Sequence, residues 1–284
     1  MSIHRTEIAP GYPVLEIDHP AAKARVALHG AHLMEWQPAD CSPVLYLSPQ
    51  SVYKEGKAIR GGVPVCWPWF GAHPEDRTLP SHGFARTRFW KLVEEEEKER
   101  GVRLLFLLTD DAETRRLWPH AFRLELEMRI GKELHLALRM TNTGTEAFTI
   151  TGALHTYLAA GDIREVRIEG LDGAEYLDTT TAPPRVSRQE GDVVFVGEVD
   201  RNYLSSAGVK VDDRAQKRVL TVQGEGSGCT VVWNPWIAKA QALTDLPDED
   251  YLRFVCVETA NAWRDAVKIP PGGCHTLATT VGTG

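Results

Sequence analysis

Between Phe122 and Met140 the chain alternates almost without a break. Phe122, Leu124, Leu126, Met128 and Ile130 fall on one face of an extended segment, and Leu134, Leu136, Leu138 and Met140 do the same after Gly131-Lys132-Glu133. Arginine, glutamate and histidine fill the positions between them. A period of two with one apolar face predicts a half-buried β-hairpin. Similar strand-length runs recur as VLEID, KARVAL, HLMEW, VLYLS, FWKLVEE, VRLLFLL, FTITGALHTYL, EVRIEGL, DVVFVGE, RVLTVQ, CTVVW, RFVCVET and TLATTV. Gly, Pro, Asn and Asp clusters separate them at short intervals, the punctuation of a sandwich or barrel. One short helix is expected in TDDAETRRLWP, with Asp110 or Asp111 as N-cap and Pro119 ending it. EEEEKER (94–100) reads as a solvated turn, and TAPPRVSRQEGD (181–192) as an excursion between strands. No heptads, repeats or composition breaks intervene. The expectation is an all-β protein, one large antiparallel β-sandwich domain over 1–284 with a few short helices.

Length leaves that picture in place, since 284 residues fit one large all-β domain or two ordinary ones. Hydrophobic residues at 43% and charged residues at 25% are ordinary for a globular chain. The net charge of −7, without a basic run, argues against nucleic acid and anionic membranes as partners. No segment is apolar enough to span a bilayer, and the first residues lack the pattern of a secretory signal. Five scattered cysteines without a Cys-x-x-Cys pair fit neither a disulfide framework nor a zinc ribbon. A reducing, cytoplasmic setting is expected.

The usual cofactor fingerprints are missing: GxGxxG, GxxxxGK[ST], GxSxG and HExxH. No two of the ten histidines have the i, i+2 spacing that puts paired metal ligands on one face of a strand. No metal and no cofactor is therefore expected. Two strand residues stand out. Alternation in TGALHTYL sets Ala153, His155 and Tyr157 on one face, and Leu154 and Thr156 on the other. In RFVCVETAN, Glu258 shares a face with Phe254 and Cys256 in a strand apolar on both sides. A carboxylate there is costly unless it is paired, hydrogen-bonded or lining a cleft. A salt-bridged structural Glu and a core His stay open as the plainer reading. The loop 58–90, rich in Gly and Pro, carries Arg60, Trp67, Trp69, His82, Arg86 and Arg88. Guanidinium forks suit phosphate or carboxylate, and indole faces suit a sugar ring. Core tryptophans and solvated arginines are the alternative.

IRGGVPVCWPWFG followed by LPSHGFARTRFW resembles the signature of the hexose-6-phosphate mutarotases, the glucose-6-phosphate 1-epimerase branch of the aldose 1-epimerase superfamily. DDAETRRLWPHAF, TGALHTYLAAGDI, VGEVDRNYL, VVWNPW and FVCVETAN follow in the expected order, so the likeness spans nearly the whole chain. It implies a large antiparallel sandwich with the sugar on a concave face. It makes His155 the catalytic acid and Glu258 the catalytic base, starting with His155 protonated and Glu258 ionised. Arg60 and Arg86 would bind the substrate and its phosphate, Asp200 a sugar hydroxyl, and His82 would sit beside the ring. Ser81 occupies a position that varies in the family, and Arg88 is a secondary candidate. The implied reaction exchanges α and β anomers by ring opening and reclosure, without metal or nucleotide. A mutarotase of unphosphorylated aldoses and a non-catalytic sugar-phosphate-binding protein are the alternatives. A monomer is expected, because the site would be complete in one chain.

Overall fold

In the computed structural model, which describes residues 2–284, the hairpin forms as the alternation requires. Phe122–Gly131 and Leu134–Asn142 pair from Phe122 opposite Asn142 to Ile130 opposite Leu134. Their apolar face is fully buried, and Leu124, Leu126, Leu136 and Leu138 are inaccessible to water. Around this hairpin grows a nine-stranded antiparallel sheet. Its spatial order is Val193–Val194, Val166–Glu169, Val209–Asp213, Arg218–Glu225, Cys274–Thr283, Leu134–Asn142, Phe122–Gly131, Gly101–Thr109 and Lys91–Lys98.

A second sheet of eight strands packs on it. Its path runs Arg185–Arg188, Glu175–Asp178, Val199–Tyr203, Cys229–Asn234, Phe254–Asn261, Gly152–Leu154 and Val65–Cys66, with Tyr157–Ala159 also paired to Phe254–Asn261. Thr259, on the inner face, lies against the backbone of Gly224 in the nine-stranded sheet. The facing surfaces share one apolar core in which Leu126, Leu138, Leu158, Val257 and Leu277 are buried. A four-stranded meander, Ile3–Ala9, Tyr12–His19, Ala22–Ala27 and His32–Pro38, closes the end of the sandwich. There the buried Trp36 indole donates to the Gly131 carbonyl, at 3.0 Å.

The strand Phe254–Asn261 is buried along its whole length, so both of its faces are covered. One face meets the other sheet. The opposite face, carrying Phe254, Cys256 and Glu258, looks onto the concave side of the sandwich.

Several expectations change. EEEEKER is not a turn: Glu94 to Lys98 belong to the edge strand Lys91–Lys98, and the chain reverses at Glu99-Arg100. Its carboxylates have partners that an isolated turn would lack, with Arg103 on Glu94 at 2.6 Å and Arg5 on Glu95 at 2.6 Å. Charges along an edge also discourage pairing with another chain. FTITGALHTYL breaks into Phe148–Ile150, Gly152–Leu154 and Tyr157–Ala159. The breaks fall where Thr151 donates to the Pro68 carbonyl and His155 to the Pro64 carbonyl, and prolines have no N–H to return. VLYLS forms only isolated bridges, at Leu45 and Leu47. DVVFVGE shortens to Val193–Val194, leaving Val196 87% exposed. The short helix is present as Ala112–Leu117. Asp111 is its N-cap, bonded to the amides of Glu113 and Thr114, and the helix ends at Trp118, one residue before Pro119.

Candidate active site

Strand register assembles the site. On the concave face of the eight-stranded sheet, Leu177 stands opposite Asn202, Asn202 opposite Val231, and Val231 opposite Glu258. On the far side of Glu258 the ladder is interrupted at His155 and Thr156. The pairs flanking the gap, Leu154 with Thr259 and Tyr157 with Cys256, keep the same register. That register sets His155 directly opposite Glu258, and directly opposed side chains on one face are within reach of each other. His155 Nε2 lies 3.3 Å from Glu258 Oε1, with both side chains buried. A parallel row runs Asp200, Trp233, Cys256, Tyr157. The Tyr157 ring stacks on His155, centroids 4.8 Å apart and 14° from parallel.

The first row, with Asp200 and Trp233 of the second, lines a cavity of about 540 Å³, and Cys256 and Tyr157 lie beneath it. Its walls come from the loop 58–90 and the helix Trp236–Ala242. Arg60 reaches in with Nη1 on the Tyr157 hydroxyl at 3.0 Å and Nε on Asp245 at 3.1 Å. Arg86 donates to the Ser81 carbonyl at 2.9 Å, while its Nε is buried without a partner. Among the described residues no carboxylate pairs with Arg86. His82 has a backbone φ of 63°. It is held reciprocally by Gly71: its N–H donates to the Gly71 carbonyl at 2.7 Å, and the Gly71 N–H donates to His82 Nδ1 at 3.2 Å. With Nδ1 accepting, the neutral ring carries its proton on Nε2. Gly83, at φ 70°, is what lets this loop pack. A Cβ there would lie 2.0 Å from the Trp67 carbonyl oxygen.

Burial sets the protonation of this site. It pushes the His155 pKa well below its usual value near 6.5, and His82, Arg86 and Arg60 push the same way. It pushes the Glu258 pKa well above 4.5; Asp200 adds to this and Arg86 opposes it. Both shifts run toward the neutral forms, the imidazole for His155 and the carboxylic acid for Glu258. His82 is likewise kept neutral by burial, with Arg86 and Arg60 contributing. Burial raises the Asp200 pKa, with Lys239, at 3.6 Å, pulling it down. Two polar atoms are left over: His155 Nδ1 and Glu258 Oε2 are buried and bonded to nothing. Such buried orphans call for a partner from outside the protein, be it water, ion or ligand.

His155, Glu258, Arg60, His82, Arg86, Asp200 and Ser81 thus converge on one cavity, Ser81 fixing Arg86 through its carbonyl. Arg88 does not. It turns away to pair with Glu113 on the short helix and lines a different depression. The indoles of Trp67 and Trp69 are also elsewhere, buried in the core at 0% and 5% exposure. Trp67 packs edge-on to Phe84, Trp118 and Phe122, so its face is not offered to a sugar. The tryptophans on the cavity wall are Trp233 and Trp263, joined by Lys239 and Asp245. A larger depression, about 790 Å³, lies around the turns at Gly101 and Gly131. Its Arg103 is matched by Glu94 and Glu127. Of possible metal ligands, His155, Cys256 and Glu258 place one ligand atom each within 4.8 Å of one another.

Known proteins resemble this chain in sequence and in fold. The family model described as aldose 1-epimerase matches residues 13–281. A protein of Escherichia coli (strain K12) named "Putative glucose-6-phosphate 1-epimerase" is 42% identical over 250 residues, covering 88% of this chain and 83% of its own. A plant protein of that name, from Cenchrus ciliaris, is 36% identical over 88% of this chain and 78% of its own. The crystal structure of a "putative mutarotase (YeaD)" from Salmonella typhimurium superposes with a TM-score of 0.92 at 36% identity, covering 99% of this chain and 93% of that one. With the register-built His–Glu pair in its cavity, this chain belongs to the aldose 1-epimerase family.

Proposed function

We propose that this protein interconverts the α and β anomers of hexose 6-phosphates, glucose 6-phosphate foremost. The observation that carries the reading is the buried His155–Glu258 pair, 3.3 Å apart, in a cavity that also holds Arg86 without a carboxylate partner. Anomer exchange takes a proton from the anomeric hydroxyl and gives one to the ring oxygen; the ring opens, the aldehyde turns, and closure reverses both transfers. Two groups sharing one proton suffice, because either placement leaves one donor and one acceptor. His155 acts as acid and Glu258 as base once the proton has passed between them across the existing contact. A bound phosphate dianion favours that passage by offsetting the Arg60 charge, which disfavours an imidazolium at His155. Arg86 and Arg60 hold the phosphate, His82 donates from Nε2 beside the ring, and Asp200 takes a sugar hydroxyl. Five free thiols support a reducing, cytoplasmic setting.

The test compares the rate of anomer exchange for glucose 6-phosphate and for glucose, by polarimetry or saturation-transfer NMR. Strong acceleration with the phosphorylated sugar supports the reading, and no acceleration with either removes it. A rate on glucose equal to that on glucose 6-phosphate favours the free-aldose reading. Asp245 gives that reading its one support, because it already neutralises Arg60.

A further inference from the structure

The register that sets His155 opposite Glu258 also places a thiol beside them. Cys256 precedes Glu258 by two positions, shares its face of the strand, and lies diagonal to His155. One nitrogen of His155, the Cys256 sulfur and one Glu258 oxygen lie within 4.8 Å of one another, and all three residues are buried. We propose that this trio binds one soft divalent cation, Zn²⁺ or Cd²⁺, and that the bound ion blocks the proton chemistry of the His155–Glu258 pair.

A pair at i, i+2 on one strand with a third ligand directly across is how a sheet builds a metal site. With the three atoms no more than 4.8 Å apart, one point lies within about 2.8 Å of all of them. Coordination at roughly 2.0–2.3 Å needs each atom to move by about half an ångström, within reach of a χ1 adjustment. The unpartnered His155 Nδ1 and Glu258 Oε2 show that this corner of the sheet has bonding capacity that the protein itself leaves unfilled. Three protein ligands beside an open cavity leave a fourth position for water, the pattern of a three-ligand zinc site. Thiolate and imidazole select zinc or cadmium over magnesium and calcium, which take oxygen ligands.

Charge and protons balance. The ion bonds to the sulfur as Cys256 loses its thiol proton, and to the oxygen as Glu258 loses its carboxyl proton. Both protons leave to solvent, and nothing is oxidised or reduced. Thiolate and carboxylate cancel the two positive charges, so Arg60 and Arg86 face no added net charge. With their lone pairs in metal bonds, His155 and Glu258 can no longer pass a proton. The binding rests on geometry alone; only the loss of turnover rests on the function proposed above.

The experiment uses the full chain with the exposed Cys274 and half-exposed Cys41 replaced by serine, leaving only buried thiols. Cd²⁺ is titrated without substrate while near-ultraviolet thiolate-to-metal absorption is followed. The band is expected to saturate at one equivalent and to vanish in C256S and C256A, both checked for folding by circular dichroism. In parallel, Zn²⁺ is titrated into the glucose 6-phosphate exchange assay. Uninhibited rates of C256S and C256A should stay within about threefold of the parent. Their inhibition should shift to higher Zn²⁺ by at least the roughly 10–100-fold that loss of even an outer-shell partner costs. No band in the parent, a band that survives in either variant, or equal Zn²⁺ sensitivity would overturn the proposal. If the parent showed no turnover at all, the proposed function would fail while the Cd²⁺ band still tested the site.

Discussion

Glu258→Gln separates the chemistry of the site from its architecture. Glutamine keeps the size of the carboxyl group and can still bond to His155, but it cannot exchange a proton. Losing one positioned proton-transfer group costs about 10²–10⁴-fold in rate, or roughly 2.7–5.5 kcal/mol of barrier. Stability should move the other way. The Glu258 pKa is raised by folding, so the stability from its neutral form is complete below about pH 4.5, where the unfolded carboxyl is also protonated. It is lost as pH rises towards the folded pKa, because the unfolded chain has shed a proton that the folded one keeps. Wild type should therefore lose stability relative to the variant as pH rises from 6 to 8. His155 works in the opposite sense. Its lowered pKa supplies stability above its usual value near 6.5 and loses it as pH falls below. In wild type the two effects oppose each other between these ordinary values, and the variant keeps only that of His155. Urea titrations at pH 6 and pH 8 measure the stability difference, and saturation-transfer NMR measures exchange. An active Glu258→Gln protein, or one whose relative stability falls as pH rises, would refute the reasoning.

Arg86→Ala should lower kcat/KM for glucose 6-phosphate by about 10–100-fold, the worth of a hydrogen bond to a charged group, and leave glucose turnover nearly unchanged. Steady-state rates on both sugars check it. Asp245→Asn releases Arg60 from its 3.1 Å partner and removes a negative charge from the cavity. KM for the phosphorylated sugar should fall by about fivefold, a change of order 1 kcal/mol, with kcat unchanged. Gly83→Ala puts a Cβ onto the Trp67 carbonyl at φ 70° and should cost about 1–3 kcal/mol or more, with activity falling as His82 and Arg86 shift. Thermal unfolding and kcat measured together test it, and an unchanged melting temperature would count against the packing argument.

How much was legible in the sequence depended on whether one face or two had to be explained. The hairpin from Phe122 reads cleanly because one face is core and the other is water. Val199–Tyr203 has no such signal, because its cavity-facing Asp200 and Asn202 are polar and the strand next to it supplies the cover. Polar residues on a buried strand are themselves the mark of a functional face. Lys239 sits on Trp236–Ala242, a helix of seven residues whose first turn is tied down by Asn234, and too short to show a period. Histidine spacing carries no trace of the His155, Cys256 and Glu258 trio, because it mixes three residue types from two strands. Trp67 and Trp69 were ambiguous because an indole is at home in a core or against a sugar, and only the packing of Phe84 and Phe122 decides. Arg88 shares a stretch with Arg86, yet two residues on, the backbone turns it toward Glu113.

His155 and Glu258 meet only because the pairs on either side of the gap, Leu154 with Thr259 and Tyr157 with Cys256, count in step. A slip of one residue would turn one partner toward the nine-stranded sheet and leave the other facing an empty cavity. Turnover therefore acts as a proofreading readout of strand alignment. A misregistered but compact molecule would keep its secondary structure and its bulk, and be silent. Specific activity during refolding counts the molecules whose central strands have locked in the right alignment, a quantity that circular dichroism does not report.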